Sequence, residues 1–422
     1  MRKIQLRKRF LITLTLLSAQ AIGSADVVSD WNVIMLTAVS GQNPFAQARF
    51  AAITQMAVFE AVNAITGDYK PYLGRMSALR GSSAEAAAVA AAHRVLLTYF
   101  PGTATVLDAA RANSLAQIPD GSAKVNGIAT GEAAATLMIA LRANDGSGTP
   151  MPYTPLSGPG FWQPTPPALA AGILLHWGKV TPFGINSSDQ FRSKRPPALT
   201  SNTYTRDYKE VLEVGGVDSA LRTDDRADVA RFYAAATPAQ VWNQVARQLS
   251  AAEDESLSAS ARTFALLNMA ISDSSVTVFE TKYHYNFWRP VTAIRAADTD
   301  GNSRTEPDSG FTPFIPTPAF PSYPSAHASG SYAARHVLKR IFGERRHSIS
   351  LSHPAVPGVT FQYAKLRQIT DDIDDARVYG GIHFRFEQEA GASMGRDVGA
   401  YVFKHHLRCA SSRRCEDDER DE

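Results

Sequence analysis

The chain has 422 residues, 44% hydrophobic, 20% charged and 9% aromatic, a globular composition with length for roughly two or three domain-sized cores. Two cysteines exclude an iron–sulfur or cysteine-rich zinc protein, and no C-x-x-C-H run is present for attached haem. The formal charge of +3 comes from the first 25 residues; the rest holds 38 basic and 40 acidic side chains, net −2, which excludes a global nucleic-acid-binding charge.

The first 25 residues carry Arg2, Lys3, Arg7, Lys8 and Arg9 and no acid. The next stretch, Phe10 to Gly23, is uncharged and mostly apolar, with small-residue cleavage sites at Ala19-Gln20-Ala21 and Gly23-Ser24-Ala25. This layout predicts a secretory signal peptide over 1–25, too short in its apolar part for a membrane anchor. Export to the periplasm or beyond is expected, with no integral membrane segment after cleavage.

Helical patterns follow. Trp31 to Ile65 holds two of them around Pro44, and Ser83 caps an alanine-rich helix, Ala84 to Phe100, that stops at Pro101-Gly102. Thr103 to Ile118 and Ser122 to Ala143 are separated by Pro119-Asp120-Gly121. Asn144 to Tyr204 then holds 10 of the 24 prolines, and helices cannot continue through such spacing. Phe161, Trp162 and Trp177 within it predict an ordered segment wrapping the helices. Thr237-Pro238 starts a helix to Ser250. Further helices are expected over Leu257 to about Tyr285, Ser325 to Phe342 ending at Gly343, Phe361 to Tyr379, and His383 to His406. Alternating strand patterns are scarce. The expectation is an all-α protein of helical bundles with long proline-rich loops. It divides into the signal peptide 1–25, a helical region 26–204, a site-bearing helical domain 205–408 and an acidic tail 409–422. Cys409 and Cys415 in that tail could close a small loop in an oxidising compartment.

Three stretches carry chemistry. In Lys282-Tyr283-His284-Tyr285-Asn286-Phe287-Trp288-Arg289-Pro290, a helix would place Lys282 and Arg289 on one face, two like charges that repel unless an anion lies between them. In Phe320-Pro321-Ser322-Tyr323-Pro324-Ser325-Ala326-His327, Ser325 is an expected N-cap. The N–H of Ala326 and its neighbours then form an oxyanion site favoured by the helix dipole, with His327 in the first turn. In Arg377-Val378-Tyr379-Gly380-Gly381-Ile382-His383-Phe384-Arg385-Phe386-Glu387, the glycines break one helix and His383 opens the next. Glu387, four residues on, can hold an imidazole nitrogen and raise its basicity. Together these supply three cations, a hydroxyl, amides and two imidazoles, an inventory for binding an oxyanion.

Taken in this order, K-x6-R-P, P-S-x-H and R-x5-H resemble the vanadium-dependent haloperoxidases and the related type 2 phosphatidic-acid phosphatase superfamily, which includes acid phosphatases. The resemblance spans roughly residues 282–387. It implies that Lys282, Arg289 and Arg377 clamp vanadate or phosphate oxygens, with Ser325 and the Ala326 amide adding hydrogen bonds. His383 is implied as the vanadium ligand of vanadate or the phosphorylated nucleophile, and His327 as the acid/base group. The family usually has Gly at Ala326, Asp at Glu387 and Ser at Ala376; none of these changes deletes a charged ligand. Phe320 matches an aromatic seen in chloroperoxidases, and Phe279 stands where those enzymes often have Trp. The implied cofactor is vanadate, with no haem and no nucleotide. The implied partners are hydrogen peroxide and halide, or a phosphate ester, with no nucleic acid. A non-catalytic oxyanion-binding protein is the third reading. Asp298-Thr299-Asp300-Gly301-Asn302 reads as a plain turn, and Asp371, Asp372, Asp374 and Asp375 as acids facing water or paired with arginines.

Overall fold

The computed structural model of the chain describes residues 26–411. The expected signal peptide, and Cys415 with the acidic end, lie outside the described residues; Cys409 is disulfide-bonded. Among the described residues the fold is thirteen α-helices and one two-stranded hairpin. It is all-α, as the sequence predicts.

The first five helices are α1 (Val27–Val39), α2 (Pro44–Thr66), α3 (Ala84–Tyr99), α4 (Ala104–Ala116) and α5 (Ser122–Arg142). Their starts follow the local chemistry. The Asn43 carboxamide accepts from the N–H groups of Phe45 and Ala46, and Pro44 occupies the first helical position, where its missing N–H costs nothing. Ser83 Oγ accepts from Ala86 N–H. The alanine-rich faces of α2 and α3 are buried to the backbone, which lets the helices approach closely.

The segment after α5 has one 3-10 turn, Leu175–Lys179, and otherwise follows the surface of the bundle. It is ordered for the reason the aromatics suggested: Trp162 and Trp177 are buried. The Asp273 carboxylate, fully buried, accepts from the N–H groups of Phe183, Gly184 and Ile185. A backbone clasp joins Trp162 N–H to Asn286 O and Trp288 N–H to Gly160 O, which pins the segment over the end of α9.

The second half comprises α6 (Asn202–Val214), α7 (Asp224–Ala235), α8 (Pro238–Ala252), α9 (Leu257–Tyr285), α10 (Pro290–Arg295), α11 (Ala326–Phe342), β1 (Arg345–Ser352), β2 (Thr360–Lys365), α12 (Leu366–Tyr379) and α13 (Arg385–His405). Nearly every residue of α9 is buried, because α2, α8, α11 and α13 surround it. The main core runs from Trp31 and Phe59 through Trp242 and Phe264 to Ile373 and Val402.

Three expectations are corrected. Residues 360–365 are strand, not the start of the helix expected from Phe361. Tyr363 pairs with Ile349 across the hairpin, and the period-two burial of Ile349 and Leu351 outweighs helical propensity there. Lys282 and Arg289 do not share a helix. Asn286 adopts φ 52° at the end of α9, and Arg289 is the N-cap of α10. His383 precedes α13, which opens at Arg385 with Phe384 as extended N-cap.

Candidate active site

The site forms where the end of α9, the loop before α11, the end of α12 and the start of α13 meet. Lys282 in the last turn of α9 is fully buried, and its Nζ donates to the carbonyls of Pro321, Ser322 and Pro324 at 3.1, 2.6 and 2.6 Å. Proline lacks an N–H, so this loop cannot close its own ladder and leaves carbonyls for the ammonium. Arg289 spans two loops: Nε donates to Phe320 O at 3.0 Å, and Nη1 to Ile382 O at 3.0 Å and His383 Nε2 at 3.1 Å. Arg377, in the last turn of α12, donates from Nη1 to Tyr233 O at 3.0 Å. Two buried donors, Arg289 Nη2 and Arg377 Nε, have no partner among the described residues.

The tautomer of His383 follows from its neighbours. Arginine can only donate, so Nε2 carries the lone pair and Nδ1 the proton. Nδ1 donates to Glu387 Oε2 at 2.6 Å. The extra methylene of glutamate is taken up by its place in the first turn of α13, where Oε2 also accepts from Phe384 N–H at 3.0 Å and Ser322 Oγ at 2.7 Å. Before the helix, Gly381 adopts φ 74°, and a Cβ there would lie 2.2 Å from Gly215 O. Only glycine brings the α6 and α12 ends this close, and the turn delivers His383 beside Arg289.

Ser325 caps α11: its Oγ accepts from Ala328 N–H at 3.3 Å, and its own N–H donates to Glu387 O at 3.0 Å. Ala326 is the first helical residue, a conformation alanine adopts without strain. The N–H groups of Ala326 and His327 have no acceptor within the helix. Both residues line a cavity walled by Phe45, Ala48, Pro238 and Ile271. Phe320 lies beneath both Lys282 Nζ (5.4 Å from the ring centroid) and Arg289 (5.0 Å). Phe279 packs edge-on to Phe320 at 5.2 Å, and Phe45 of α2 closes the aromatic wall at 4.4 Å from Phe279.

Three cations thus face one carboxylate in a buried setting. Burial, then the Arg289 charge, holds the Lys282 ammonium well below its ordinary pKa. Arg289 is lowered to about 10 by burial, and Arg377 to about 9 by burial and by Arg289. Burial and the same cations depress His383 and His327 well below the usual imidazole value, so both are neutral. Glu387 is pushed up to about 7 by burial, against the pull of Arg289, Ser322 and Lys282. Positive charges that destabilise one another, with two buried guanidinium donors unpartnered among the described residues, are an arrangement that a bound anion would relieve.

All the residues singled out in the sequence meet here: Lys282, Arg289, Ser325, Ala326, His327, Arg377, His383 and Glu387, with Phe279 and Phe320 behind them. Three contributors were missed. Ser322 stood in the quoted run but had no signal beyond its flanking prolines. Phe45 comes from α2, some 240 residues upstream of the first motif. Tyr233 contributes a main-chain carbonyl, which no side-chain pattern reveals. The Asp298–Asn302 stretch leaves the 3-10 turn Ala297–Thr299 into a loop closed by Asp300, which accepts from Asn302 N–H and Thr305 Oγ1. Asp371, Asp372 and Asp375 pair with arginines, whereas Asp374 accepts from the Tyr332 hydroxyl.

Fold and site together describe an all-α protein with a buried cluster of three cations, two imidazoles and one carboxylate. The sequence matches the family described as the VCPO second helical-bundle domain over residues 262–412. It is 28% identical over 206 residues to vanadium chloroperoxidase of Curvularia inaequalis, covering 40% of this chain and 32% of that protein. The chain therefore spans about a third of the length of that curated relative. A bacterial vanadium-dependent iodoperoxidase superposes with a TM-score of 0.78 at 25% identity, over 91% of this chain and 96% of its own. The holo form of a bacterial vanadium-dependent chloroperoxidase superposes with a TM-score of 0.68 at 18% identity, over 86% and 92%. In sequence over residues 262–412 and in overall fold, the chain is thus similar to the vanadium-dependent haloperoxidases.

Proposed function

We propose that this protein is a vanadate-dependent haloperoxidase that oxidises halide with hydrogen peroxide. The observation that carries this reading is the cluster of three buried cations around a His383 Nε2 lone pair, with two orphaned guanidinium donors and a single carboxylate. A tetrahedral oxyanion fits that donor set. Arg289 and Arg377 would bind its oxygens, Lys282 would add its charge from the end of α9 while its Nζ holds the adjoining loop, Ser325 Oγ and the Ala326 N–H would add neutral hydrogen bonds, and His383 Nε2 would be the ligand to vanadium. When bound, vanadate supplies Lewis-acid activation of hydrogen peroxide toward halide. The cations stabilise the charge that develops there. His327, kept neutral, accepts and returns a proton at its ring. Glu387 holds the proton of His383 on Nδ1 and so keeps Nε2 unprotonated, with its lone pair directed at the cations. Phe45, Phe279 and Phe320 limit water at the site. The disulfide at Cys409 supports an exported protein working in an oxidising compartment.

The same pocket would accept the phosphoryl group of an ester, with His383 as nucleophile, and one experiment separates the two chemistries. Purified protein is assayed with and without orthovanadate, for halogenation of monochlorodimedone with peroxide and for hydrolysis of p-nitrophenyl phosphate. We expect halogenation to appear with vanadate and to vanish in His383→Ala. Ester hydrolysis that is present without vanadate and inhibited by it, with no halogenation, would replace this reading with the phosphatase.

A further inference from the structure

We propose that Tyr363 of the hairpin is a positioning residue for the oxyanion pocket, acting through the main-chain carbonyl of Tyr233 on Arg377 and His327. The inference rests on the reading of the pocket given above and adds a component outside its motifs.

Helix α7 ends at Ala235, and Tyr233 O would ordinarily accept from the N–H of residue 237. That N–H is taken: Thr237 N donates to Gln240 Oε1 at 3.0 Å in the capping box of α8. The Tyr233 carbonyl is therefore released, with the negative end of the α7 dipole behind it. Arg377 Nη1 donates to it at 3.0 Å, and His327 bonds to the same backbone group. One carbonyl thus orients a clamp residue and the candidate acid/base group together.

The Tyr233 ring anchors the end of α7 that presents this carbonyl. The ring is fully buried and lies parallel to Phe361, with an interplanar angle of 5°. Its hydroxyl meets the Tyr363 hydroxyl at 2.9 Å. Tyr363 donates its single proton to Asp372 Oδ2 at 2.8 Å, so Tyr233 is the donor between the tyrosines. Asp372 is held in turn by Arg226 Nη1 at 3.1 Å. Strand pairing with Ile349 sets the height of Tyr363. The hairpin, remote from the motifs, thereby reaches the pocket through two hydroxyls and one carbonyl.

The test is orthovanadate binding to the full-length protein, followed by isothermal titration calorimetry. Tyr363→Phe should weaken binding about ten-fold, the lower end for loss of an outer-shell partner. In an Arg377→Ala background the same change should cost less than about two-fold, because its route to the ligand is gone. Tyr233→Phe removes the same hydroxyl pair and carries the comparison if Tyr363→Phe does not fold. Unchanged binding in Tyr363→Phe, while Arg377→Ala binds weakly, would overturn the proposal and leave the pocket standing. Equal losses in both backgrounds would mark a fold-wide effect and overturn it too. An Arg377→Ala protein that binds orthovanadate normally would remove the pocket reading and the proposal with it.

Discussion

Ser322 shows how a single hydroxyl acts on the pocket without touching a ligand. It donates to Glu387 Oε2, the same oxygen that receives the His383 Nδ1 proton. Removing it leaves that carboxylate less well held and the imidazole less well aimed. Ser322→Ala is expected to weaken orthovanadate binding about ten-fold with little loss of stability. Binding equal to wild type by calorimetry would remove Ser322 from the machinery. Lys282 illustrates a different balance. Its ammonium gives all three hydrogen-bond donors to loop carbonyls, so it fixes the proline-rich loop while holding its charge at the pocket. A substitution there would disturb loop and charge together, which makes Ser322 the cleaner probe.

At the scale of elements, buried carboxylates tie irregular chain to helices. Asp273 of α9 gathers residues 183–185, and Glu60 of α2 accepts from Tyr72 N–H at 2.6 Å. Burial raises Glu60 to about 7, against the backbone hydrogen bonds of Tyr72 and Leu73. A raised carboxylate favours the folded state fully below its unfolded pKa of 4.5 and loses that advantage as pH rises through about 7. Glu60→Gln should therefore gain on wild type between pH 5 and pH 8, on the order of 3 kcal/mol. Thermal or denaturant unfolding of both proteins at the two pH values measures this. A stability difference that does not change with pH would refute it. The α11–α13 pair is the second element-level device, since it sets the distance between the start of one helix and the His383 turn before the other.

At the scale of the molecule, the pocket exists only because distant segments are held in register by tight packing. Gly391 and Gly395 of α13 lie against the backbone of α11, and a Cβ at Gly395 would sit 2.2 Å from Ser329 O. Neither backbone can yield without spreading the helices. Gly395→Ala is expected to destabilise the protein by roughly 1–3 kcal/mol and to weaken orthovanadate binding as well, because Ser325 and His327 move away from His383. An unchanged melting temperature and unchanged affinity would show that the two helices do not set the pocket. The proline-rich segment closes the same structure from outside by its clasp on Asn286 and Trp288.

The sequence by itself determined most of the helices and the charged residues that meet at the pocket. Caps such as Ser83, Thr237 and Ser325, and breakers such as Gly343, act within one turn, so their effect is readable from neighbours alone. The charged residues of the pocket were legible because three cations and two imidazoles in short runs have few other uses. Tertiary structure decided what depends on partners far along the chain. The strand at 360–365 forms because Tyr363 meets Ile349 and the core behind it, and local propensity does not carry that information. Lys282 and Arg289 converge from two helices because Asn286 turns the chain between them. Phe45 and the Tyr233 carbonyl join the site only through packing, one by shape and the other by a main-chain group common to every residue. A side-chain pattern can name the groups that bind an anion; the close approach of helices and loops decides which way each of them points.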